Sequence, residues 1–290
     1  MILITGASGQ FGSATIHFLL KKGITPSTIK ALVRSEEKAA PLRSLGLNIA
    51  IGDYNNYESL VQAMEGVNKL FLISSSEIQN RSEQQINAVK AAKEAGVKHI
   101  IYTSFERKDE TASSPMAFIS SSHIETEKAI KESGMTYTIL RNSLYADTIP
   151  MFLGEKVTEQ GVFFPAGKGA AAFATRSDMA EAAANILSSE GHENKEYLTS
   201  NAENYTFDQI AEYLSSITGK TIPNINPSTE VYAAALENAQ VPALYIGMFA
   251  GFAGAIAQNE FFVEKGDLSH LLGRTPQSLK EYLTGVYGNK

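Results

Sequence analysis

Short apolar runs alternate with segments of helical periodicity through the first half of the chain. The runs are Ile2 to Ile4, Ile29 to Arg34, Asn48 to Ile51, Lys69 to Ile73, Lys98 to Thr103 and Thr136 to Leu140. Runs of this length between polar, turn-forming stretches read as buried strands. Between them lie Ser13 to Lys22, with Ile16, Leu19 and Leu20 on one face, then Glu36 to Leu45, Tyr57 to Met64, Ser82 to Ala95 and Ser122 to Ser133, all read as helices. Such alternation predicts an α/β fold of Rossmann type, a doubly wound parallel sheet. After Ala146 the rhythm breaks. Gly161 to Gly169 reads as loop, Phe173 to Thr175 and Tyr197 to Ser200 as strands, and Ser177 to Leu187 as a helix capped by Ser177. Thr206 to Thr218, Ser228 to Asn238, Ala243 to Ala257 and Ser278 to Tyr287 read as further helices. The expected organisation is a dinucleotide-binding domain over 1–150, with 171–200 returning to it. A smaller, mostly helical substrate lobe spans 151–290.

The stretch Met1 to Gly12, MILITGASGQFG, gives the first half its chemistry. A strand, a glycine turn and a helix in that order are the context a dinucleotide fingerprint needs. Gly6 permits a tight turn, Gly9 lets backbone approach a pyrophosphate, and Gly12 lets helix pack on strand. The helix start then offers free N–H groups and a partial positive charge. The first gap is one residue wider than in the commoner G-x-G-x-x-G spacing.

Composition narrows the partners. The chain has 290 residues, 43% apolar and 19% charged, enough for a full core. Its net charge of −6 and lack of a basic stripe argue against nucleic acid. It has no cysteine, and its five histidines form no H-x-x-x-H pair, so no metal site is expected. Nothing at the start resembles a signal peptide, so a cytoplasmic protein is the expectation. Ala243 to Ala257 is apolar and uncharged, but a spanning helix needs about 20 such residues. A helix buried in the protein, lining an apolar pocket or forming a homodimer contact, fits better.

Ligands of such sheets bind at the strand carboxyl ends. An acid there, about 20 residues past the glycines, marks NAD enzymes. Here Arg34 occupies the position, with Lys38 one turn on. A guanidinium suits a 2′-phosphate, which favours NADP(H). The competing reading makes Glu36 the ribose ligand. Asp53 is placed to accept from the adenine or to cap the next helix. Ser74, Ser75 and Ser76 follow the fourth strand, Thr103 and Ser104 the fifth, and Asn142, Ser143 and Tyr145 the sixth. Arg141, at a strand end, reads as structural.

These features together resemble the short-chain dehydrogenase/reductase superfamily in its atypical NmrA-like branch. The resemblance rests on GASGQFG at Gly6 to Gly12, LVR at Leu32 to Arg34, GDY at Gly52 to Tyr54 and ISSS at Ile73 to Ser76. It continues in GVKHIIYTS at Gly96 to Ser104, HIETEKAI at His123 to Ile130, YTILRN at Tyr137 to Asn142 and TRSDMA at Thr175 to Ala180. Within the branch the chain is most similar to type-2 NADPH:quinone oxidoreductases and triphenylmethane-dye reductases. The resemblance implies NADP(H) held by Gly6, Ser8, Gly9, Gln10, Phe11, Arg34, Ser74, Ser75, Ser76, Asn142 and Ser143. Asp53 and Thr103 join this cofactor set from their strand-end positions. Ordinary members of the superfamily use a Tyr-x-x-x-Lys pair on a helix. None of the twelve tyrosines here has lysine at that spacing; His123-x-x-x-Glu127 stands in its place. Hydride transfer to a quinone or similar flat aromatic acceptor suits that loss, because the product anion is a weak base. His123, Tyr145 and Asn142 are the catalytic candidates. His123 reads equally as a polar residue of its helix. The alternative function is a redox sensor that binds NADP(H) without turnover.

Overall fold

The structure is a computed structural model describing residues 1–77 and 79–288. Strands β1 (Ile2–Ile4), β2 (Ile29–Val33), β3 (Asn48–Ile51), β4 (Lys69–Leu72), β5 (His99–Phe105) and β6 (Thr136–Asn142) alternate with helices α1 (Gln10–Lys21), α2 (Glu36–Arg43), α3 (Tyr57–Met64), α4 (Arg81–Glu94) and α5 (Ala117–Glu132). Then follow β7 (Leu144–Tyr145), α6 (Ile149–Leu153), α7 (Val157–Gln160), β8 (Ala170–Ala174), α8 (Arg176–Leu187), β9 (Lys195–Thr199) and β10 (Asn204–Thr206). The chain ends with α9 (Phe207–Thr218), α10 (Thr229–Asn238), α11 (Ala243–Ala257), α12 (Leu268–Leu272) and α13 (Leu279–Tyr287).

The main sheet runs β3-β2-β1-β4-β5-β6-β9, every pair parallel. The order reverses direction at β1, between β2 and β4, which opens a crevice at their carboxyl ends. One face of the sheet is covered by α1 and α8, burying Phe11, Ile16 and Leu19 with Met179 and Ile186. Ala180, Ala182, Ala183 and Ala184 are fully buried in α8, and their small size lets it lie against α1. The other face is covered by α3, α4 and α5 through Leu60, Met64, Val89 and Ile130. Each large aliphatic side chain buried this way contributes roughly 1.5–3 kcal/mol.

The second half departs from expectation in three places. It holds its own three-stranded sheet, β10-β8-β7, with β7 and β8 parallel and β10 antiparallel. The first strand expected there begins earlier, at Ala170, and ends before Thr175. Thr175 then caps α8, its Oγ1 accepting the Asp178 N–H at 3.1 Å, in place of Ser177. A threonine with extended backbone is a better cap than a serine already inside the first turn. Helix α5 also starts at Ala117, more than a turn before Ser122. The apolar segment Ala243 to Ala257 is α11, and Ile246, Phe249 and Ile256 sink into the lobe's core. There Phe164 stacks between Phe152 and Phe207 at centroid distances of 4.9 and 4.7 Å. Among the described residues no helix is long and apolar enough to cross a membrane.

Candidate active site

The crevice at the switch point has a volume of about 510 Å³. Its floor is the turn from β1 into α1. Gly6 takes φ +56°, and a Cβ on Gly12 would lie 2.4 Å from the Gly6 carbonyl oxygen. No larger residue fits at Gly12 without moving backbone. Helix α1 has no side-chain cap and no acid in its first turn. Six other helices carry a Ser, Thr or Asn cap. The first amides of α1 are therefore free for an anionic ligand.

At the far end, Arg34 and Lys38 line the crevice. Glu36 does not; it turns back along α2 to pair with Arg43 at 3.1 Å. The ribose reading of Glu36 is thereby disfavoured. Asp53 lines the crevice, and its Oδ1 accepts the Asn55 N–H at 2.8 Å. It does not cap α3: Asn56 does, accepting from Ser59 at 3.0 Å.

Ser8, Gly9, Gln10, Phe11, Ser74, Ser75, Ser76, Thr103 and Tyr145 all reach the crevice. The serine run is pinned by its neighbours. The Ser74 N–H donates to Thr103 Oγ1 at 2.8 Å, and the Ser75 hydroxyl donates to Gln84 Oε1 at 2.8 Å. Burial holds the Tyr145 phenol above its ordinary pKa, so it stays protonated. Arg176 lies 4.7 Å over the Tyr145 ring and pairs with Asp147 at 3.2 Å; it also donates to Gln10. Arg176 was not predicted as a site residue, although it sits in the quoted TRSDMA stretch. Only the unforeseen second sheet carries it to the crevice. Tyr54, Asn55 and Gln84 line the crevice as well; Tyr54 lies in the quoted GDY stretch but was not taken as a site residue, and Asn55 and Gln84 carried no sequence signal.

Three candidates stand behind the wall. Asn142 is buried, accepts from the Thr199 hydroxyl and donates to the Tyr145 hydroxyl at 3.1 Å. It orients Tyr145 and does not itself line the crevice. Ser143 is buried beside it. His123 is 2% exposed, with both ring nitrogens engaged. A guanidinium has no acceptor, so His123 Nε2 accepts from Arg81 at 2.8 Å. Nδ1 then carries the proton and donates to the Tyr102 hydroxyl at 2.7 Å. Burial, with the charges of Arg81 and Arg107, keeps His123 neutral. Of the two readings of His123, the buried, fully engaged ring fits the polar helix residue, because α5 faces the sheet along this side and not the crevice. Glu127, one turn on, accepts two bonds from Arg107, both at 2.9 Å, and one from Arg141 at 3.1 Å. The H-x-x-x-E pair is thus a structural brace. No cluster of acids and histidines able to hold a metal occurs among the described residues.

The glycine cradle, the uncapped helix and the two cations at the far end fit a dinucleotide bearing an extra phosphate. Known proteins support the fit. A model of the NmrA-like family matches residues 1–283. Quinone oxidoreductase 2 of Escherichia coli is 38% identical over 99% of each chain. A triphenylmethane reductase of Citrobacter complexed with NADP(H) superposes with a TM-score of 0.89 at 37% identity, over 98% of this chain and 99% of that one. An NADPH-dependent quinone oxidoreductase of Escherichia coli complexed with NADPH gives 0.88 at 37% identity, over 99% of this chain and 100% of the other.

Proposed function

The chain belongs to the NmrA-like family, and we propose that it is an NADPH-dependent oxidoreductase that reduces quinones or similar flat aromatic acceptors. The observation that carries the reading is the far end of the crevice, where β2 ends in Arg34 and Lys38 and the nearby acid Glu36 is turned away. Bound NADPH supplies the hydride. The chain's own residues bind and orient. The α1 amides and glycine loop take the pyrophosphate, Arg34 takes the 2′-phosphate, and Ser74 to Ser76 lie along the ribose. Tyr145, braced by Asn142 and covered by Arg176, supports the reacting ring. The smaller lobe covers the acceptor. The product anion of a quinone is a weak base that water protonates, so no Tyr-x-x-x-Lys pair is needed. Holding two rings in contact is then the main catalytic contribution.

Purified protein mixed with NADPH and a set of quinones is expected to oxidise the nicotinamide, followed by loss of its near-ultraviolet absorbance. Tight NADPH binding with no turnover on any acceptor would instead point to the sensor alternative. Arg34→Ala is expected to weaken NADPH by about 10- to 100-fold, the worth of one charge-assisted contact. NADH affinity should barely change. Equal weakening of both, measured by fluorescence titration, would remove the 2′-phosphate argument.

A further inference from the structure

Arg81 opens α4, just after the serine run. It is part-buried, and among the described residues no carboxylate pairs with it, whereas Arg107, Arg141 and Arg176 each hold an acid. Its Nε is buried without a partner, as are those of Arg107 and Arg141, so what sets Arg81 apart is the missing carboxylate. Its position at a helix N-terminus sets its charge against the helix dipole. Its other neighbour is His123, held neutral by burial and by Arg81's own charge. An unpaired cation placed against so many costs calls for a ligand.

Arg81 does not itself line the crevice, but a hydrogen-bond network ties it to the crevice wall. Arg81 fixes His123, His123 donates to Tyr102, and the Tyr102 hydroxyl donates to Gln85 Oε1 at 3.3 Å. That same Oε1 accepts from the Ser75 N–H at 3.2 Å, on the crevice wall. The Arg81 charge is also felt at the Tyr145 phenol, which lines the crevice. Phe105 stacks on His123 at 5.8 Å and meets Phe252 and Phe261 of the smaller lobe edge-on or tilted. The fixed charge therefore stands behind the place where lobe and sheet meet.

We propose that Arg81 is a specificity-determining residue, a fixed cation that favours acceptors turning anionic on reduction. This rests on the reductase reading above. When hydride passes from the dihydronicotinamide to a neutral quinone, the nicotinamide is oxidised and the quinone becomes a hydroquinone monoanion; water then supplies the one proton that completes the hydroquinone. That anion is stabilised by a desolvated positive charge nearby. A cationic triarylmethane dye becomes neutral on receiving the same hydride, so the same charge opposes its binding and gives its product nothing.

The test compares kcat/KM for a neutral quinone and a cationic triarylmethane dye. Arg81→Met is expected to lower the quinone value about 10- to 100-fold, with the dye value unchanged or higher. Arg81→Lys, which keeps the charge, should recover much of the quinone value. A second readout needs no turnover: 4-nitrophenol bound in the presence of NADP+ should ionise at lower pH in the wild type than in Arg81→Met, seen as phenolate absorbance. Parallel losses on both acceptors, or identical nitrophenol titrations, overturn the proposal. If the wild type fails to oxidise NADPH with any of the acceptors, the reductase reading itself has failed. If it reduces quinones and Arg81→Met does so equally, only the role of Arg81 has.

Discussion

Glu127→Gln is expected to destabilise the protein by about 3–5 kcal/mol at neutral pH, the usual result of removing one partner from a buried ion pair. The Arg107 and Glu127 side chains are 1% and 5% exposed. Glu127 also accepts from the Ser104 hydroxyl and from Arg141, so its loss leaves the buried Arg107 guanidinium with only the half-exposed Glu110 and leaves a hydroxyl unmatched. Burial alone would raise the Glu127 pKa. The hydrogen bonds from Arg107 and Ser104 and the two arginine charges overcome this and hold it below the ordinary range. A depressed carboxyl pKa gives stability that is present above the unfolded value and lost as pH falls through the folded one. The gap between wild type and variant should therefore close under acid conditions. Urea unfolding at several pH values checks this. A loss below about 1 kcal/mol at neutral pH would mean the brace behaves like a surface pair. Replacing both partners, Arg107→Met with Glu127→Leu, should cost less than the single change, because no charge is left alone.

Glu106→Gln is expected to act oppositely, making the protein more stable at alkaline pH. Glu106 lies just past β5, 5% exposed, with its Oε2 buried and unpartnered. Burial is the main cause that lifts its carboxyl to about 8; Glu260 adds to the rise and Lys108 opposes it. A carboxyl with a raised folded pKa binds a proton on folding. Its contribution is complete below the unfolded value, near 4.5, and erodes as pH rises towards 8. The whole swing is about 5 kcal/mol at most. The glutamine variant, neutral throughout, should lack this erosion. Its advantage should be small near pH 4 and level off above pH 8. A constant difference across that range, in the same unfolding series, would show that Glu106 does not titrate as described.

The pattern of strands and helices before Asn142 was legible because it is local. Periodicity of apolar positions and the glycines between β1 and α1 fix short segments before any long-range contact forms. The cofactor end of the crevice followed, since strand ends of a doubly wound sheet converge by topology. Arg34, Lys38 and the serine run could be placed from their strand positions alone. The second half was harder. Strand β7 is two residues long, and β8, which pairs with both it and β10, is a run of alanines with no alternation to read.

Chain order alone thus determined the fold class, the parallel sheet of the first half and the glycine turn from β1 into α1. Tertiary structure decided what each polar side chain faces. His123 and Glu127 sit one turn apart in a motif that reads as catalytic, yet their partners Arg81, Tyr102, Arg107 and Arg141 come from three other elements and a loop. Those contacts neutralise, orient and bury both residues. A side chain's charge state and reach depend on neighbours that only folding brings together, and no spacing along the chain records them.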